Sequence, residues 1–176
     1  GDIYNGDYQA VAEWLADKYE DEAAYHPRVD AWLGMNAPDN QTPSNWARAI
    51  AFETYFTELM HARGLKTCVL NLAVGNPGDI NRILDCKELF EIADFLGYHS
   101  YGGPNDQLMI NNVNLDDPYL FALRARTMQE MYEVRGWRFP PVVYTEGTTY
   151  GGWHSNPDIS AGDIRDDMIA FIPWMN

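Results

Sequence analysis

Glu146 is the sharpest chemical signal in the sequence. It follows an apolar run through Val142, Val143 and Tyr144, where a carboxylate costs free energy unless it is paired or put to use. Taken alone it reads as a solvated glutamate at a strand end. Its companions change that reading. Four apolar runs each give way to polar or aromatic residues. The first leads into Asn36-Ala37-Pro38-Asp39-Asn40, the second into Asn71 and then Gly75-Asn76-Pro77. The third finishes His99-Ser100-Tyr101-Gly102-Gly103, and the fourth Tyr144-Thr145-Glu146-Gly147, followed by Tyr150, Trp153 and His154. Sugar sites need this mixture, because apolar ring faces stack on aromatic side chains and hydroxyls need fixed hydrogen-bond partners.

These residues act together only if the elements carrying them run the same way. Residues 7–24 have helical periodicity, with Val11, Leu15 and Tyr19 on one side. Residues 29–36 read as a strand. Ser44 can cap a helix reaching His61, with Ile50, Phe52, Phe56, Leu59 and Met60 facing a core and Gly64 ending it. Strands over 66–73, 94–101 and 141–146 follow, separated by helices over 79–92 and 118–134, and a glycine-rich loop over 147–163 enters a last helix to residue 172. A helix followed by four strand–helix units implies an α/β fold with a parallel sheet and right-handed crossovers. The whole of 1–176 reads as one domain. In such folds the site lies at the carboxyl ends of the strands, where the polar and aromatic residues collect. No GxGxxG or GxxxxGK[ST] follows a strand, so a nucleotide-binding open sheet loses its best signal.

The strand ends resemble those of the clan A glycoside hydrolases, retaining enzymes on a (β/α)8 TIM barrel. Their fourth strand typically ends in Asn-Glu-Pro and their seventh in a Thr-Glu-Gly-like turn. The corresponding stretches here are Trp32-Leu33-Gly34-Met35-Asn36-Ala37-Pro38 and Tyr144-Thr145-Glu146-Gly147, with Tyr98-His99-Ser100-Tyr101 between them resembling the sixth-strand end. The resemblance covers essentially the whole chain and implies a glycosidase-like TIM barrel, incomplete in this chain. It further implies retaining cleavage of a β-linked saccharide with Glu146 as nucleophile. Asn36 would hold the sugar's 2-hydroxyl, and Asn76, His99, Tyr101 and Trp153 would bind substrate. His99 and Tyr101 share one side of their strand, since side chains alternate with period two. For Trp153, packing in the core or loop is an equal alternative.

Two departures qualify the resemblance. The acid/base glutamate belongs between Asn36 and Pro38, and Ala37 stands there. A retaining mechanism uses two carboxyl groups about 5 Å apart, and alanine can transfer no proton. Ala37 is then an engineered knockout, or the mark of a natural carbohydrate-binding pseudoenzyme, or its task falls to Asp39 as a substitute acid; Asp39 ranks last, being shorter than glutamate and displaced along the loop. The second departure is length. A full barrel takes about 250 residues, against 176 here. Further chain segments or another chain would have to complete it, and a structural subunit completed by a partner is the most distant reading.

Composition excludes other classes. A net charge of −14 repels phosphate backbones and argues against nucleic acid while suiting a neutral partner such as an oligo- or polysaccharide. No run of some eighteen apolar residues predicts a membrane span. The chain opens Gly1-Asp2 with no visible signal peptide, which is consistent with processing or truncation. Secretion follows only from the family resemblance. The four histidines have no HExxH or HxH spacing, so no metal is expected, and no other cofactor is implied. No GxSxG elbow occurs. Cys68 and Cys86 lie outside any CxxC pattern and read as buried free thiols rather than a disulfide.

Overall fold

A computed structural model describes residues 3–101, 123–148 and 159–174. Trp153, Tyr150, His154 and the Gly102-Gly103 pair fall outside the described residues, as does the start of the predicted 118–134 helix. The element order is α1 (Tyr8–Ala23), β1 (Trp32–Leu33), α2 (Pro43–Ala62), β2 (Thr67–Leu72), a 3-10 segment (Ile80–Cys86), α3 (Lys87–Ile92), β3 (Phe95–Tyr101), α4 (Arg124–Glu133), β4 (Val142–Thr148) and α5 (Ala161–Phe171). All strand pairs are parallel, in the order β1-β2-β3-β4.

The closed TIM barrel expected from the strand-end resemblance is not what these residues build. The sheet is a curled, open one of four strands, in which β1 pairs with β2 and β4 with β3 at its two ends. A barrel closes when its last strand bonds to its first with matched tilt and stagger, and the described strands supply no such pairing. The α/β class and the parallel strand order do match the reading of the sequence.

Several boundaries also moved, each for a local reason. α2 begins at Pro43, with Thr42 rather than Ser44 as its cap: the Thr42 hydroxyl accepts from Asn45 N at 3.1 Å, and proline is suited to a first helical position. α5 starts earlier than predicted because Ser160 and Asp163 form a reciprocal capping box. The predicted 79–92 helix divides into the 3-10 turn and α3. β4 continues two residues beyond Glu146, so the glutamate lies within the strand.

β1 is the largest correction, only two residues where eight were expected. Its ladder to β2 runs through Trp32 N to Lys66 O (2.9 Å) and Gly34 N to Cys68 O (3.2 Å). Met35 N then turns away to the side chain of Glu53 on α2, donating to Oε1 at 2.7 Å. Leu70 N of β2 donates to the same oxygen at 2.8 Å. One buried carboxyl therefore replaces the ladder where the two strands part. Gly34 makes room for it: a Cβ there would stand 2.1 Å from Oε2.

β2 and β4 each carry an extra residue relative to β3. Val69 pairs with Leu96 and Leu72 with Tyr98, so Leu70 and Asn71 together face Gly97. Both have positive φ, 63° and 36°. On the other side Tyr98 pairs with Tyr144 but His99 pairs with Glu146, leaving Thr145 as the extra residue. Such bulges bend a strand and re-aim the side chains beyond it.

Two apolar clusters hold the frame. Leu70, Leu72, Leu96 and Tyr98 of the sheet pack with Trp46 and Ala49 of α2, Leu89 and Phe90 of α3, and Met128 and Tyr132 of α4. Ala12 and Ala16, one turn apart on α1, pack with Phe52, Phe56 and Met60 of α2. Each large buried side chain contributes about 1.5–3 kcal/mol, which is how α2 also carries Glu53 into the interior. Cys68 and Cys86 are buried free thiols. Among the described residues no helix is long and apolar enough to cross a membrane.

Burial pushes Glu53 up to about 8, partly opposed by its two N–H donors. The folded chain thus holds this proton more tightly than the unfolded chain does. Its contribution to stability is fully present below about 4.5 and is lost as pH rises to about 8. Glu53→Gln keeps the acceptor but cannot ionise. Its unfolding free energy, followed by urea titration, should lose on the order of a few kcal/mol less across that window than that of the parent chain; parallel pH profiles would show that Glu53 is not the buried acid described.

Candidate functional site

The carboxyl ends of the strands bring together most of the residues singled out in the sequence. Asn71 occupies the centre. Its side-chain Nδ2 donates to Asn36 Oδ1 and its Oδ1 accepts from the Thr145 hydroxyl. Its backbone oxygen accepts from Ala37 N at 3.0 Å. Asn36 and Ala37 after β1 and the Thr145-Glu146 step of β4 are therefore tied to one residue, and Ala37 and Glu146 lie at the same end of the sheet. Asn71 can sit there because β3 has glycine opposite; a Cβ on Gly97 would stand 2.6 Å from Asn71 Oδ1 and 2.8 Å from its Cα.

Glu146 is half-exposed and meets two β3 side chains. The Tyr101 hydroxyl donates to its Oε2. His99 Nε2 approaches Oε1 at 3.5 Å. That distance is longer than an ordinary N–H···O hydrogen bond, and buried His99 Nε2 has no hydrogen-bond partner among the described residues. The His99 and Tyr101 rings stand edge to face, with centroids 6.2 Å apart. Tyr101 is pushed up to about 12, first by desolvation and then by its hydrogen bond to Glu146 and the charge of that carboxylate.

The loop after β1 places Asp39 differently from the role considered for it. Asp39 Oδ1 accepts from Gln41 N at 2.8 Å and Oδ2 from Asn45 Nδ2 at 2.6 Å. These donors, Gln41 first, lower its pKa below the ordinary carboxylate range. A carboxylate held in its charged form by two donors is a poor proton donor near neutral pH, and it serves instead to order the entry to α2. Tyr4 fixes the same loop by accepting Asp39 N at 2.6 Å, and Arg82 donates to Asn40 O. Ala37 itself is exposed, with φ 49°.

Asn76 takes part in a separate turn. Its N donates to Ala73 O at 3.0 Å, and it precedes Pro77, whose carbonyl accepts from the buried Arg124 at 2.5 Å. Trp153 lies outside the described residues. The sequence reading gave no role to Asn71, Thr145 or Glu53. Asn71 stood at a strand end beside the chosen residues, whereas nothing local in the sequence marks Glu53 as a residue that α2 carries into the interior. Among the described residues, no three of His, Cys, Asp and Glu converge as metal ligands would. The clefts on α1, lined by Asp7, Ala10, Val11 and Trp14, and beside it at residues 25–29 share no residue with this group.

No family model, curated protein or solved structure matches the chain. The likeness to glycosidases rests on the strand-end residues alone.

Since the Glu146 carboxylate contributes to the raised Tyr101 titration, Glu146→Gln should lower it. The value should stay above the ordinary 10, because desolvation is the larger cause and survives the substitution. Carbon-13 NMR of labelled tyrosines, with Tyr101→Phe to assign the signal, reads this directly. An unchanged titration would mean that the two side chains are not paired in solution.

Proposed function

We propose that the Glu146 site binds the glycosyl group of a β-linked saccharide, with Glu146 as the nucleophile of a retaining glycoside hydrolase-like centre whose acid/base position is occupied by Ala37. The observation that carries this reading is the pairing of Glu146 with Tyr101 and His99. A half-exposed carboxylate is oriented through one oxygen by a tyrosine, and a buried histidine nitrogen with no hydrogen-bond partner among the described residues lies beside the other. The half-exposed Glu146 carboxylate is where a sugar ring can approach this group. Asn36, tied through Asn71 to the same end of the sheet, is available for a neighbouring hydroxyl.

The chemistry divides into two steps. A Glu146 oxygen attacks the anomeric carbon as the bond to the leaving oxygen breaks, giving a glycosyl ester; water then displaces Glu146. Alkoxide leaving groups need a proton, and Ala37 supplies none. Loss of a general acid costs roughly 10²–10⁴-fold in rate. The same alanine favours a second reading, a carbohydrate-binding site without turnover.

Aryl glycosides with acidic phenols need no such proton. A dinitrophenyl 2-deoxy-2-fluoro-β-glycoside panel should add one fluoroglycosyl group at Glu146, located by peptide mass spectrometry. With non-fluorinated aryl glycosides, azide should attack C1, release Glu146 and yield the β-glycosyl azide. Absence of both labelling and azide product, alongside saccharide binding by calorimetry that Glu146→Gln abolishes, would favour the binding reading; absence of all three would remove carbohydrate from this site.

Ala37→Glu tests the vacant role. It should raise turnover of unactivated glycosides by roughly 10²-fold or more and introduce a bell-shaped pH profile, as two neighbouring carboxyl groups titrate apart. Unchanged turnover in Ala37→Glu, with residual activity abolished by Asp39→Asn, would assign the acid to Asp39 instead.

A further inference from the structure

We propose that Asn71 is the positioning residue of this site: by hydrogen-bonding Thr145 on one side and Asn36 on the other, it holds the β4 bulge that turns Glu146 onto the face of His99 and Tyr101. The inference rests on the functional reading above for its consequence, but its geometry does not depend on any sugar.

Strict alternation along β4 would put Glu146 on the same face as Tyr144. Tyr144 packs into the helix-covered core, meeting Tyr98 and Phe171 edge to face with centroids 6.2 and 6.4 Å away. A carboxylate on that side would be buried without a partner. The extra residue at Thr145 shifts the register by one, so that Glu146 comes opposite His99. The bulge therefore decides whether the carboxylate is a buried liability or an accessible reagent.

What holds the bulge is the bond between the two bulge residues. The Thr145 hydroxyl donates to Asn71 Oδ1, passing over Gly97 of β3, with Tyr98 O a second acceptor at 3.5 Å. Asn71 is itself fixed, buried with positive φ and bonded through its other amide atom to Asn36. Three strands are thereby referred to one amide. Asn71 acts on Glu146 through Thr145, so its effect is on where the carboxylate stands.

Tyr101 reports that position without substrate, because the Glu146 charge raises its titration. Thr145→Val keeps the shape and removes the donor. Thr145→Ser keeps the donor and removes the methyl group. Asn71→Ala removes the acceptor. With folding verified by circular dichroism, Tyr101 should titrate about one pH unit lower in Thr145→Val and Asn71→Ala, as expected when a nearby charge moves off. Thr145→Ser should titrate with the parent chain. A Thr145→Val chain that folds and titrates like the parent overturns the proposal, and so does a Thr145→Ser chain that shifts as far as Thr145→Val, since packing would then be the cause. If Asn71→Ala does not fold, the two Thr145 variants decide. A lowered titration in the variants, with no glycosyl labelling of the parent chain, leaves the positioning role and removes the glycosidase reading; labelling of the parent chain with an unmoved titration in the variants does the reverse.

Discussion

The backbone of β2 leaves the extended region at Leu70 and Asn71, and the rest of the site is arranged around that break. Left-handed backbone at residues other than glycine costs on the order of 1–3 kcal/mol each and persists only where its surroundings over-determine it. Here they do. Leu70 N is held by Glu53, and Asn71 is held at its side chain from two directions and at its carbonyl by Ala37. Val69, Leu70 and Leu72 are wholly buried, anchoring the segment on both sides of the break. Gly97 supplies the gap the displaced backbone needs, and Gly34 the gap needed by the carboxyl that mends the ladder.

Two glutamates illustrate how environment assigns roles. Glu53 is fully enclosed by α2, β1 and β2, and the acid form is favoured well above the ordinary carboxylate range. It reaches backbone N–H groups and acts as a strut. Glu146 is half-exposed, faces two polar ring systems, and can be reached from solvent. The same functional group is enclosed in one place and open to solvent in the other, because one lies behind the sheet and the other on its rim.

Ala37 separates the scaffold from the chemistry placed on it. The segment it occupies is anchored by Asn36, by its own N–H and by the Asp39 turn, none of which calls for a carboxyl at position 37. Likewise the open four-stranded sheet brings Asn36, Asn71, Thr145 and Glu146 to one end without the described strands closing into a barrel. Fold and site are distinct inferences: the sheet sets which strand ends come together, and the side chains of Glu146, Tyr101 and His99 set the chemistry presented there.

The sequence by itself determined the α/β class, the parallel order, the helical faces and the placing of Asn36, Ala37 and Glu146 at one end of the strands. These follow from periodicity and from chain connectivity, both local. It also put His99 and Tyr101 on one side, which the edge-to-face contact of their rings reflects. Tertiary structure decided the rest. Period-two alternation assigns Glu146 to the face of Tyr144, and only the extra residue at Thr145, bonded to Asn71 seventy-four positions earlier, turns it toward His99. The shortness of β1 was equally hidden, since an apolar run at 29–36 does not reveal that a helix glutamate takes over the Met35 N–H. The closed barrel failed for a related reason. Strand-end motifs are local, whereas closure depends on which strands pair at the edges, and that is settled by partners distant in sequence.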